Sequence, residues 1–145
     1  MGIPIGGIWG SYPKPFFEAY ISGSVQNLTS GVELGKFSTI LVDSLGYYIG
    51  ASSWRYTPLV AGYYKLYVRM RIDGGGTIDN WGIYKNAGII TDTLSVVASG
   101  YHIVLHKMVH ADGVTDFFDT RIELTAGACN IAINSVFGGY YLGNP

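Results

Sequence analysis

His102, His106 and His110 stand four residues apart, the spacing at which a helix would stack three imidazoles as metal ligands. The residues between them argue otherwise. Ile103, Leu105 and Val109 alternate with the histidines, which is the period of a strand. On a strand, residues four apart lie about 13 Å from one another, too far to share one ion. The sequence therefore predicts no metal site here, and these histidines are read as exposed or partner-facing. A second group, Asp112, Asp116, Asp119 and Glu123, offers the oxygen ligands that calcium prefers. It lacks the dense Asp-x-Asp-x-Asp spacing of a dedicated calcium loop, so it reads as a solvated turn and the start of a strand.

Asp73-Gly74-Gly75-Gly76-Thr77 is glycine-rich, but no Lys-Ser/Thr pair and no helix follow it, so it predicts a hairpin tip in place of a phosphate cradle. No Gly-x-Ser-x-Gly elbow is present, and nothing assigns a nucleophile, a base and an orienting group to one place. No catalytic residue is named, no cofactor is implied, and the chain is expected not to be an enzyme. Cys129 is the single cysteine, which rules out an internal disulfide and a Cys-based zinc site. Its apolar neighbours place it in a buried strand. Asn27-Leu28-Thr29 is a glycosylation sequon only in a chain secreted from a eukaryotic cell.

The elements that would carry these residues are short strands. The chain has 145 residues, enough for one core, with 21 glycines for turns and 12 tyrosines suited to half-buried pleated surface. Charged residues make up 13% and hydrophobic ones 48%, a low charge content for a small monomer, so part of the surface is expected to lie against other subunits. A net charge of -1 gives no footprint for nucleic acid and no polybasic anchor for a membrane surface. No apolar run reaches the length of a membrane span or a secretory signal, so neither membrane insertion nor secretion by a leader is expected.

Strand-like runs fall at 16–22, 36–42, 45–50, 63–72, 80–85, 101–109, 118–124, 129–133 and 136–142, separated by turn residues such as Asp73–Gly76, Asn86–Gly88, Asp112-Gly113 and Ala126-Gly127. Their number and spacing predict an all-β, two-sheet jelly-roll sandwich over residues 16–145. Residues 1–15 hold four glycines and three prolines and read as an irregular arm. Ile3, Ile5, Ile8 and Trp9 are its apolar contacts, either docking on a neighbour or partner or folding back on the domain.

The clearest alternation runs from Tyr63 to Ile72. Tyr64, Leu66, Val68, Met70 and Ile72 form a core face, and Tyr63, Lys65, Tyr67, Arg69 and Arg71 an amphipathic one. By composition alone that second face either meets solvent or packs across a subunit boundary.

Pro58, Gly62 and Tyr64 in Arg55–Tyr64 resemble the hydrophobic-x-x-Pro, spacer, Gly-x-Tyr opening of a central strand in the C1q and tumour necrosis factor-like jelly-roll superfamily. Further matches keep that order. Phe16–Ala19 resembles the Phe-x-Ala of the first strand, Tyr84–Gly88 the Lys-Asn-Gly turn with Ala87 inserted, Arg121–Gly127 the Leu-x-x-Gly-Asp step with Gly127-Ala128 in place of Gly-Asp, and Phe137–Leu142 the closing strand. No collagen-like Gly-X-Y stalk precedes the domain.

The resemblance implies a ten-strand jelly roll whose inner sheet packs against two further copies around a threefold axis. It turns the odd face of 63–72 and part of the last strand toward that axis, with Tyr63, Tyr67, Arg69 and Tyr140 as interface candidates, and sets the histidine strand on the outer sheet. With the arm, it implies a non-catalytic virion structural protein of bacteriophage type, a head fibre, capsid decoration or tail-fibre receptor-binding domain. Its partners would be itself, another virion protein, and possible host-surface glycans or proteins. The alternative is a secreted or surface C1q-like module outside the cell that binds glycans or receptors, with Trp54, Tyr56 and Trp81 as surface-binding candidates that stack on sugar rings.

Overall fold

Between Gly62 and Gly74 the sequence alternates large apolar and polar residues, and the chain folds accordingly. In the computed structural model, which describes residues 14–29, 31–97 and 100–144, Tyr64, Leu66, Val68, Met70 and Ile72 are all fully buried while Tyr63, Arg69 and Arg71 are exposed. A strand that presents one apolar face must bury it against a second layer. The second layer is another sheet.

The strands are β1 (Phe16–Tyr20), β2 (Gln26–Leu28), β3 (Gly31–Leu34), β4 (Thr39–Asp43), β5 (Tyr48–Ile49), β6 (Arg55–Tyr56), β7 (Gly62–Gly74), β8 (Thr77–Lys85), β9 (Gly88–Val97), β10 (Tyr101–Ala111), β11 (Phe118–Ala126), β12 (Cys129–Ile131) and β13 (Val136–Gly143). All pairings are antiparallel. The first sheet centres on β7, which pairs with β10 on one side and with β13 and β12 on the other; β13 continues to β1 and β4, and β12 to β2. In the second sheet β11 pairs with β8, and β8 with β9, while β6 and β3 share the other side of β11. The described residues contain no helix.

The core between the sheets is aromatic at one end. Phe17 stacks on Tyr56 at 4.0 Å and on Tyr48 at 5.5 Å between ring centroids, and Phe137 meets it edge-on at 5.1 Å. Trp81, Ile83, Ile122 and Leu124 close it from the second sheet. Cys129 is buried within this core, as its apolar neighbours predict.

The predicted strand runs recur, and a further strand, β9, forms over Gly88–Val97, where no run is predicted. Asp92 and the Thr and Ser residues break its apolar alternation, and it pairs only with β8. Short strands β2, β3 and β6 carry too few residues to show any period. The Tyr84–Gly88 turn is also tighter than its sequence suggests: Lys85 pairs with Gly88, so Asn86 and Ala87 alone make the turn, at φ of 50° and 67°. Residues 1–13, with Ile3, Ile5, Ile8 and Trp9, lie outside the described residues.

Candidate functional site

The outward face of the first sheet can be read from register, because directly paired residues project to the same side. On β7 it carries Tyr63, Lys65, Tyr67, Arg69 and Arg71. Opposite them on β10 stand His110, Met108, His106, Val104 and His102. On the other flank, β13 sets Tyr140 beside Lys65, Gly138 beside Tyr67 and Val136 beside Arg69, and β1 adds Phe16, Glu18 and Tyr20.

The histidine strand therefore belongs to the same sheet as β7, and its assignment to the outer sheet is corrected. Pairing over eleven positions, from Tyr101 with Ile72 to Ala111 with Gly62, fixes it there. Strand order is a long-range property, and the periodicity of 101–109 carries no information about which neighbour it chooses.

Across the middle of the face one row runs His106, Tyr67, Gly138, Glu18. The Tyr67 ring lies over Gly138, where a Cβ would come within 2.5 Å of it, and its hydroxyl donates to Glu18 Oε2 at 2.5 Å. Burial first, and then this hydrogen bond, raise the Tyr67 pKa above the usual tyrosine range. His110 meets Tyr63 edge-on at 5.3 Å, and His106 lies 6.4 Å from Tyr67.

Large apolar and aromatic groups stay uncovered on this face: Met108 is 64% exposed, Val104 52%, and Phe16, Tyr140 and Tyr63 are close to 40%. A contiguous patch of this kind, set among polar groups, marks an interaction surface more often than a solvated one. Three clefts mark it, one at Tyr63, Met108 and Leu142, one at Tyr67, His106 and Glu18, and one at Arg69, Arg71 and His102. Tyr63, Tyr67, Arg69 and Tyr140 thus come together on one surface.

The surface-binding candidates do not come together. Tyr56 and Trp81 are fully buried, one stacked on Phe17 and the other on the inward face of β8, so neither can meet a sugar ring. Aromatic residues in half-alternating runs look alike whether their face is inner or outer, and here both lie inside. Trp54 is half-buried at the turn before β6, at φ 53°.

The acidic stretch is occupied by its own turn. Asp112 Oδ1 accepts the N–H groups of Val114, Thr115 and Asp116, each at 2.9 Å, and its Oδ2 accepts the Thr115 hydroxyl at 2.6 Å. These bonds hold its pKa below the usual carboxylate range. Burial opposes the charge of Asp116, but Lys85 Nζ at 2.8 Å, the Asn86 amide at 2.7 Å and the Asp112 N–H at 2.8 Å outweigh it and lower its pKa too. Asp119 is held in a two-pronged pair by Arg121, with both contacts at 2.9 Å. Among the described residues no group of three His, Cys, Asp or Glu is placed to hold a metal ion.

No protein-family model matches the chain, and no curated protein matches it. Solved structures do. Murine APRIL superposes with a TM-score of 0.61 at 11% identity, covering 89% of this chain and 99% of that one. Pika GITRL gives 0.57 at 16% identity, covering 91% and 98%, and the Eiger TNF of S. frugiperda gives 0.56 at 12%, covering 92% and 96%. At such identities the likeness establishes the fold, an all-β two-sheet jelly roll of tumour necrosis factor type.

Proposed function

We propose that this chain is a non-catalytic module that self-associates as a trimer through the outward face of its first sheet, and that it serves as a structural or receptor-binding component of a virion. The observation that carries the self-association is the uncovered patch of Tyr63, Tyr140, Phe16, Val104 and Met108, flanked by Tyr67 and Arg69. Tyrosine suits a subunit boundary, since its ring buries a large area while its hydroxyl keeps a partner or water. A ring of three is heterologous, so this face meets a different surface of the next copy, and the two need not be self-complementary.

Light scattering tests the assembly. The expected mass is that of three chains at micromolar concentration, and Met108→Glu or Tyr140→Glu, which sets a carboxylate on the patch, is expected to shift it to one chain with the fold intact. A single-chain mass for the unaltered protein overturns the reading.

The virion setting rests on analogy with the trimeric jelly-roll modules of phage particles and on the apolar Gly/Pro-rich arm as a docking segment. Mass spectrometry of purified particles is expected to find the chain; a gene in a host chromosome with no phage genes around it overturns that setting.

A further inference from the structure

At one end of the same sheet face, three nitrogen-rich side chains converge without enough carboxylate to balance them. Arg69 and Arg71 are two apart on β7 and share its outward side, and His102 on β10 pairs directly with Arg71. The turn between β12 and β13 closes the cleft with Ile133 and Asn134, leaving about 260 Å³. That turn is fixed to β7, since Ala132 N–H donates to the Arg71 carbonyl at 2.8 Å and Arg71 N–H to Ser135 Oγ at 3.2 Å.

The charges do not cancel. Arg71 Nε pairs with Asp73 Oδ1 at 3.0 Å, while Arg69 joins no ion pair among the described residues. Like charges on one face of a strand repel, yet the chain as a whole carries 10 acidic against 9 basic residues and has carboxylates to spare. Two guanidinium forks, an imidazole and the Asn134 amide line one cleft and supply the kind of donors that oxyanions accept.

We propose that Arg69, Arg71 and His102 form a binding site for one oxyanion, a sulfate, phosphate or carboxylate group. All of its donors come from one chain, and it sits at the end of the sheet face whose remaining part, from Val104 to Tyr63, is proposed to meet the next copy. His102 faces Arg69 and Arg71 on β7, with Asp73 the carboxylate bonded to the cluster, while β12 and its turn bring no charged side chain.

Sodium sulfate is the probe, since it is a dianion at neutral pH. It is titrated against sodium chloride at equal ionic strength, so that screening is common to both. The expected result is saturable binding seen by calorimetry, weakened about tenfold in Arg71→Gln, the scale of one charge-assisted hydrogen bond. His102→Gln, which takes the imidazole out of the cleft, is expected to weaken binding as well. Glucuronate, run beside sulfate, separates a free ion from an acidic sugar by which binds more tightly. No saturable effect beyond chloride, full-strength binding in Arg71→Gln, or equal weakening by Lys107→Gln, a cation off this face, overturns the proposal.

Discussion

The Tyr67 hydroxyl reaches Glu18 at 2.5 Å by passing over Gly138, so three strands are tied by one side chain across a residue that has none. A methyl group at 138 would lie 2.5 Å from the ring and drive it off Glu18. Gly138→Ala is thus expected to destabilise by about 1–3 kcal/mol, the usual cost of overpacking. Tyr67→Phe, which only leaves the carboxylate without this donor, is expected to cost about 1–3 kcal/mol as well. Urea denaturation measures both. If the two losses come from one contact, the double variant costs clearly less than their sum; full additivity would separate them.

Stability is expected to fall at both ends of the pH scale, for opposite reasons. Burial comes first in raising the pKa values of Tyr48, Tyr56, Tyr64 and Tyr67. Above about pH 10 the unfolded chain sheds these protons while the folded chain keeps them, so stability drops as pH rises. In the acid range Asp112 and Asp116 are lowered, so their contribution is complete above about pH 4 and is lost as pH falls through their folded values. Chemical denaturation from pH 2 to 11 is expected to show a slope approaching four protons on the alkaline side. Asp112→Asn is expected to flatten the acid limb; an unchanged limb would remove that turn from the acid response.

Trp81 and Trp54 separate a core role from a surface one. Trp81 is fully buried against Ile83 and Ile122 in the same cluster, and Trp81→Ala is expected to cost about 3–5 kcal/mol. Such a loss would unfold a marginal domain and abolish any binding indirectly. Trp54 is half-buried, so Trp54→Ala is expected to keep the fold. Glycan-array signal lost in that variant, with unchanged circular dichroism, would favour a sugar-binding module; unchanged signal would remove Trp54 from recognition.

Two-sheet architecture was legible in the sequence because burial writes alternation into long strands: every even residue from Tyr64 to Ile72 faces the core. What alternation cannot encode is which strands are neighbours. The alternation of His102, His106 and His110 with apolar residues marks a strand, yet their position opposite Arg71, Tyr67 and Tyr63 depends on register between segments far apart in the chain, with β8 and β9 between them. For that reason the oxyanion cluster is invisible in the sequence, where Arg71 and His102 are separated by β8 and β9. Tyr56 and Trp81 lie inside, which the sequence hides for a related cause: β6 has two residues and shows no period, and in β8 Trp81, Gly82 and Ile83 are buried in succession, so no alternation marks the covered face.

Ala87 holds the tight turn between β8 and β9 at φ 67°, a left-handed conformation that costs an L-residue with a Cβ roughly 1–2 kcal/mol. Its neighbour Asn86 tolerates φ 50° better and is anchored, donating to Asp116 at 2.7 Å and accepting the Phe117 N–H at 3.0 Å. The two positive φ values in a two-residue loop are those of a type I′ turn, for which Asn-Gly is the favoured pair. Ala87→Gly removes the Cβ strain and gives back part of it as chain entropy, about 0.4–1 kcal/mol. The net expected effect is stabilisation by roughly 0.5–1 kcal/mol. Thermal denaturation would show a raised midpoint, and a lowered one would mean that the turn is held in another geometry.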